Sequence, residues 1–113
     1  MTTMPDPQPG ELWWAYLDPA VGCEQGGRRP IVVISSRRYL KTVDTLLISV
    51  PVTSVDRGWP NHVPLTGQSD VVGWAVTEQP RVLSRDRLST PAGQVSTECL
   101  KLIRQWVHES VSD

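Results

Sequence analysis

Gly22-Cys23-Glu24-Gln25-Gly26-Gly27-Arg28-Arg29-Pro30 leads straight into Ile31-Val32-Val33-Ile34-Ser35. The second segment is a β-branched apolar run of strand length and reads as a central strand. The first is poor core material: three glycines, a carboxylate, an amide and two adjacent arginines. Glycine permits positive φ and lets backbone N–H groups approach a ligand, while the planar fork of arginine suits two-point contact with a phosphate diester. A loop that holds an anion has this composition. So does a flexible hairpin loop whose arginines are simply solvated, and the residues alone leave both readings open.

Upstream, Glu11-Leu12-Trp13-Trp14-Ala15-Tyr16-Leu17 has strand content and closes on Asp18-Pro19. Both of its faces carry large apolar groups. Either the strand is buried on both sides within one domain, or one face meets a partner subunit or a ligand. Residues 1–9, with three prolines, read as a flexible arm outside the fold, leaving 10–113 as a single domain.

Downstream, Arg37 to Val43 reads as one helical turn or an irregular crossing, and Thr45 to Thr53 as a strand. Pro51 inside that strand implies an edge or a bulge, and bulges re-aim side chains toward sites, which draws attention to Thr53. Asp56 to Asn61 is turn-rich, His62 to Thr66 reads as a short strand, Gly67 to Asp70 as a turn and Val71 to Glu78 as a strand. Gln79 to Leu83 continues the sheet past a kink at Pro80, and Ser84 to Leu88 and Pro91 to Val95 read as connectors. Short strands joined by Gly and Pro turns argue for a mainly β fold, a small antiparallel barrel or sandwich. Ser96 then caps an amphipathic C-terminal helix, with Leu100, Ile103, Val107 and Val111 inward and Lys101, Arg104, Gln105 and Glu109 in water.

A chain of 113 residues with 39% hydrophobic content is globular and sized for one core. The net charge of −1 gives no general attraction to nucleic acid. The distribution differs: Arg28, Arg29, Arg37, Arg38 and Lys41 are five of the eleven basic residues, with no acid between Glu24 and Asp44. A local cationic patch on a near-neutral protein suits a small anionic target or a short nucleic-acid footprint, and it is also what a solvated face looks like.

Two cysteines make no disulfide framework, and His62 and His108 form no metal-ligand spacing with them. No apolar run is long enough to span a membrane and no signal peptide opens the chain, so a cytoplasmic protein is expected. No serine has a nucleophile-elbow context, neither histidine has an evident carboxylate partner, and the phosphate-loop pattern is absent. Cys23 beside Arg28 and Arg29 has the surroundings of a lowered thiol pKa but lacks a nearby base. What remains is arginine, threonine, amide and carboxylate at strand ends. Such a set suits phosphoryl chemistry in which the target brings its own nucleophile, as RNA does with its 2′-hydroxyl.

At this point the residues resemble a known family. Gly10-Glu11-Leu12-Trp13-Trp14, Leu17-Asp18-Pro19, Gly22, Glu24-Gln25-Gly26-Gly27, Arg29-Pro30 and Val32-Val33-Ile34-Ser35 are similar to the opening of the MazF/PemK toxins of bacterial toxin–antitoxin modules. Val50-Pro51-Val52-Thr53, Gly58-Trp59-Pro60, Asp70, Glu78-Gln79 with Arg81, Arg87-Leu88 and Gly93 to Val95 follow in the same order. The resemblance runs from Gly10 to about Val111. It implies an SH3-like small antiparallel β-barrel with a C-terminal α-helix, and a sequence-specific, metal-independent endoribonuclease acting on single-stranded RNA without a cofactor. It also implies a homodimer and a cognate MazE-like antitoxin that lays an extended acidic segment over the site.

Carried over by position, Arg29 and Thr53 match the family's catalytic residues. Glu24, Gln25 and Gln79 match positions that shape RNA binding, and Trp14, Arg28 and Arg81 complete the expected RNA contacts. The implied reaction is attack of the 2′-hydroxyl on the adjacent phosphorus, giving a 2′,3′-cyclic phosphate and a 5′-hydroxyl. Glu24, a desolvated Arg29 and bound water are the candidates for general base. His62 reads as an ordinary strand residue. The sequence departs from the family pattern at Pro80, usually aliphatic, and at Tyr16, where an acid is common. The alternative on the same fold is a non-catalytic CcdB-like toxin that binds DNA gyrase. That mode implies a tryptophan near the C-terminus, whereas this sequence closes on Glu109-Ser110-Val111-Ser112-Asp113.

Overall fold

The computed structural model describes residues 5–17 and 27–112. Its strands are β1 (Glu11–Tyr16), β2 (Arg28–Val33), β3 (Leu46–Thr53), β4 (His62–Pro64), β5 (Gly67–Ser69), β6 (Trp74–Val76), β7 (Arg81–Ser84) and β8 (Leu88–Val95). Helix α1 (Arg37–Thr42) links β2 to β3, and α2 (Thr97–Val111) follows β8. Every strand pair is antiparallel. The order across the sheet is β4-β6-β3-β2-β1-β8-β5, with β7 on the first half of β3. The strands at its two ends, β4 and β5, are separated in the chain only by Leu65 and Thr66. The sheet must therefore curl until its ends meet, which makes it the expected small barrel-like fold with a C-terminal helix, short of hydrogen-bonded closure.

Side-chain alternation divides β1 between two cores. Leu12 joins Val32, Val50, Val63 and Ala75 against Cys99 and Ile103 of α2, with Trp14 packed on that cluster. Ala15 joins Ile31, Val33, Leu40 and Leu47, with Trp13 alongside. One chain thus packs on both faces of β1, while Trp13 and Trp14 stay partly exposed and Tyr16 is 42% exposed.

Helix α2 starts where Ser96 Oγ accepts the Cys99 N–H at 3.1 Å, the expected cap. Two of its residues depart from expectation. Val111 is 78% exposed, so the buried stripe ends at Val107. Arg104, assigned to water by its spacing, donates Nε to the Ile34 carbonyl at 3.0 Å and Nη2 to the Ser35 carbonyl at 2.9 Å. The Ile48 N–H goes to Ser35 Oγ instead of continuing the ladder, and the guanidinium supplies donors to the two carbonyls at the end of β2. Burial lowers the Arg104 pKa from its usual value.

The N-terminal arm is attached over its described part. Pro7 is fully buried, Gln8 N–H donates to Glu11 Oε1 at 2.7 Å, and Asp6 lies 3.7 Å from Arg85 Nη1. The expected turn at Gly67 to Asp70 is β5, and the connectors at Ser84 to Leu88 and Pro91 to Val95 hold a short 3-10 turn and the eight-residue β8. Two shifts in the β1–β8 register space the buried residues of β8 as Leu88, Ala92 and Val95, so no period of two is visible in the sequence. Gly93, at φ 131°, permits β5 to lie so close that a Cβ there would sit 2.4 Å from the Gln68 carbonyl oxygen. No helix among the described residues is long and apolar enough to cross a membrane.

Candidate active site

The site begins at a fork in the sheet. β2 and β3 pair as Val33–Ser49, Val32–Val50 and Ile31–Pro51. The Ile34 N–H donates to the Ile48 carbonyl at 2.9 Å, which makes residues 32 and 50 a hydrogen-bonded pair and 31 and 51 a non-bonded one. The next bonded pair would join 30 and 52. Position 30 is proline and has no N–H to give. Past this point β2 continues on β1, with Arg29 opposite Ala15, while β3 continues on β6, with Thr53 opposite Trp74. A groove of about 1100 Å³ opens at the parting.

Pro51 has its own part in the fork. In a non-bonded pair its missing N–H faces away from β2, toward the side where β3 changes partner. β7 ends there at Ser49–Arg81 and β6 begins at Val52–Ala75. The proline expected to mark an edge or a bulge marks this exchange.

Arg29 and Thr53 each stand two residues beyond the last pair. With a period of two, both side chains project on the face of Ile31 and Pro51, one from each branch. Arg29 is exposed and makes no hydrogen bond or ion pair with a described residue. Thr53 Oγ1 accepts the Val55 N–H at 3.1 Å, which fixes the hydroxyl oxygen and leaves its O–H to donate elsewhere. The entry to β6 holds the Thr53 backbone closely: a Cβ on Gly73 would lie 2.3 Å from the Thr53 carbonyl oxygen.

Trp14, Arg28, Arg29, Thr53, Gln79 and Arg81 all line this groove. The Arg28 guanidinium carbon is 5.7 Å from the centre of the Trp14 ring, and its Nη1 is 3.3 Å from both Ser89 Oγ and Thr90 Oγ1. Arg81 Nη2 donates to the Leu17 carbonyl at 3.1 Å, so part of that guanidinium is spent on the end of β1. The Gln79 side chain has no hydrogen-bond partner among the described residues. Glu24, Gln25 and Cys23 lie outside the described residues.

The cationic patch read along the chain is not one site. Arg37, Arg38 and Lys41 belong to α1, beyond the far end of a strand that runs about 16 Å from Arg28 to Val33. The groove draws its charge from Arg28, Arg29, Arg57 and Arg81, against Asp70 and Glu78. Those cations suit an oxyanion, and the hydroxyl and amide beside them add neutral donors.

Sequence reading missed a second group, because it found no carboxylate for either histidine. His62 Nε2 lies 3.1 Å from both carboxylate oxygens of Glu78, and Asn61 Nδ2 donates to Glu78 Oε1 at 2.8 Å. Sixteen residues separate the pair, and only β4–β6 pairing, which puts His62 opposite Val76, joins them. Thr77 Oγ1 closes the clasp on the Asn61 carbonyl at 2.8 Å. Burial pushes the Glu78 carboxyl up, but hydrogen bonds from His62, its own backbone and Asn61, with the charge of His62, outweigh that and hold it below 4.5. His62 is 5% exposed, its Nε2 faces the Glu78 carboxylate, and its Nδ1 is buried with no hydrogen-bond partner among the described residues. His62 lies in β4, the strand position expected of it.

A curled antiparallel sheet whose fork holds an arginine and a threonine over a groove lined by four arginines defines a small β-barrel-like protein with a C-terminal helix. Residues 8–111 match the PemK-like, MazF-like toxin of type II toxin–antitoxin systems, and the chain belongs to that family. It is 37% identical over 99 residues to the endoribonuclease toxin MazF of Escherichia coli strain K12, covering 87% of each chain. Among solved structures it resembles MazF from Deinococcus radiodurans, at 32% identity and a TM-score of 0.75 over 91% of this chain and 94% of that one. A MazE–MazF structure from the same organism matches at 31% identity and a TM-score of 0.78, over 92% and 94%.

Proposed function

We propose that this endoribonuclease toxin cuts single-stranded RNA at specific sequences, without a metal, and that Arg29 and Thr53 act on the scissile phosphate. The observation that carries this reading is the fork, which sets a guanidinium and a hydroxyl proton, both without a partner among the described residues, on one face of two separately anchored branches. In the reaction the 2′-hydroxyl loses its proton and attacks the adjacent phosphorus. The bond from phosphorus to the 5′-oxygen breaks, and that oxygen takes up a proton. A 2′,3′-cyclic phosphate and a 5′-hydroxyl result.

Arg29 and the Thr53 hydroxyl stabilise the charge that builds on the non-bridging oxygens. Arg29, exposed at the Arg28 end of β2, serves as the cation. The enclosed Nδ1 of His62 and the thrice-bonded, weakly basic Glu78 are equally unsuited to take the 2′-proton. Glu24 or bound water fills that role. The MazE–MazF structure from Deinococcus supports a MazE-like antitoxin as partner. In this reading an acidic segment of the antitoxin lies along the arginines of the groove, and the toxin acts as a homodimer.

Purified protein in EDTA is expected to cut single-stranded RNA and to leave cyclic phosphate ends. Arg29→Ala and Thr53→Val should each lower kcat by about a hundredfold or more, as loss of a transition-state donor does. Full activity in the double variant overturns the assignment of residues, and an absolute requirement for added metal overturns the proposed reaction.

A further inference from the structure

Trp59 lines the groove and is 50% exposed. A large aromatic ring left open to water in a cleft forgoes the burial such rings normally gain. Its setting is ordered nonetheless. Asp56 Oδ1 accepts the Gly58 N–H at 2.9 Å, Gly58 takes a φ of 72°, and the Trp59 carbonyl accepts the His62 N–H at 3.1 Å. The indole lies 4.9 Å from the His62 ring, centre to centre, at 47°. His62 is in turn buried and tied to Glu78. One side of the indole is therefore backed by a fixed neighbour while half of its surface stays open, a platform with little conformational freedom left to lose.

The surroundings match the remaining parts of a nucleotide. Arg57 lines the same groove and offers a cation to a phosphate. Gln79 follows the anchored Glu78, and its amide, without a partner among the described residues, holds both a donor and an acceptor for the edge of a base. Trp14, Arg28 and Arg29 belong to the β1–β2 branch of the fork, whereas Trp59 and His62 belong to the other, beyond β6. An acidic peptide would use the arginines and meets the indole only where it carries an aromatic side chain, whereas a single strand of RNA brings a flat base with every phosphate. RNA uses both.

We propose that Trp59, backed by His62, forms a base-stacking subsite that holds one nucleobase of the single-stranded RNA, with Gln79 reading the edge of that base. The proposal rests on the reading of the groove as the RNA site and adds to it a specificity-determining contact. It also gives the His62–Glu78 clasp a purpose, since the clasp sets the height and tilt of the stacking ring.

The test is binding, measured by fluorescence anisotropy with short, labelled 2′-fluoro RNA strands of mixed sequence. These keep bases and phosphates but offer no attacking hydroxyl. A second probe of equal phosphate count carries abasic residues throughout. Trp59→Leu, which fills space without a π face, should weaken binding to the mixed strands by roughly five- to a hundredfold, while Trp59→Phe stays within about threefold of the wild type. On the abasic strand all three proteins should bind alike. Equal binding of the mixed strands by wild type and Trp59→Leu overturns the proposal. So does an equal loss on the abasic strand, which marks a general effect on the groove, or a loss confined to an acidic antitoxin peptide, which marks a protein contact. If the wild type binds RNA but does not cut it, the nuclease reading fails while the subsite stands on the binding data. If it binds neither mixed nor abasic strands, both fall.

Discussion

At Glu78 two opposing influences meet, and their balance decides how the β4–β6 end of the barrel responds to acid. Partial burial favours the protonated carboxyl, while His62, the backbone and Asn61 favour the charged one and prevail. The folded pKa therefore lies below the unfolded value of 4.5. Ionised Glu78 adds stability at pH values above 4.5, and that contribution is lost as pH falls through the lower folded value. The wild type should accordingly exceed Glu78→Gln in thermal midpoint near neutral pH, with the gap closing below about pH 4.5. A gap that stays constant down to about pH 3 would show that the carboxylate charge is not what holds the clasp. Nothing in the sequence advertises this pair, because its members meet only through strand register. Arg29 and Thr53 were legible for a different reason: each sits in a run of residues whose order matches the family.

At the scale of elements the strands with strong β-branched content, β2 and β3, are readable from the sequence, whereas β5 and β8, both holding glycine, read as a turn and connectors. β8 was taken for connectors because Pro91 and Gly93 are turn residues elsewhere, and its packing value comes from close approach to β5 and not from propensity. Pro51 reads from the sequence as an edge or a bulge, and the change of partner strand it marks is a tertiary event. Pro30 proved the more consequential residue, because its missing N–H ends the β2–β3 ladder just short of Arg29. Pro30→Ala restores that donor. The ladder is expected to extend by the pair 30–52, drawing the branches together, so that the new amide at 30 gains hydrogen-exchange protection while kcat/KM on RNA falls. Exchange at the rate of an open loop would show that something other than the proline keeps the branches apart.

Across the whole molecule a net charge of −1 conceals a groove lined by four arginines and two carboxylates. Linear charge clustering located only half of that set, Arg28 and Arg29, and added Arg37, Arg38 and Lys41, which the fold carries to the other end of β2. Arg57 and Arg81 are brought in by topology, from the loop after β3 and from the start of β7. The two descriptions differ in what salt should do. Binding of single-stranded RNA releases counterions, and log K falls against log salt by about 0.7 for each phosphate neutralised. If the groove is the footprint, Arg57→Ala should make that slope shallower by roughly 0.7, whereas Arg37→Ala with Arg38→Ala should leave it unchanged. The reverse result would return the RNA to the surface of α1 and detach binding from the fork. Arg81 offers a finer discrimination within the same measurement. Its guanidinium already holds the Leu17 carbonyl just past the end of β1, so Arg81→Ala should both flatten the slope and lower affinity at salt concentrations high enough to suppress the electrostatic part, because it loosens the chain at the groove-lining Leu17.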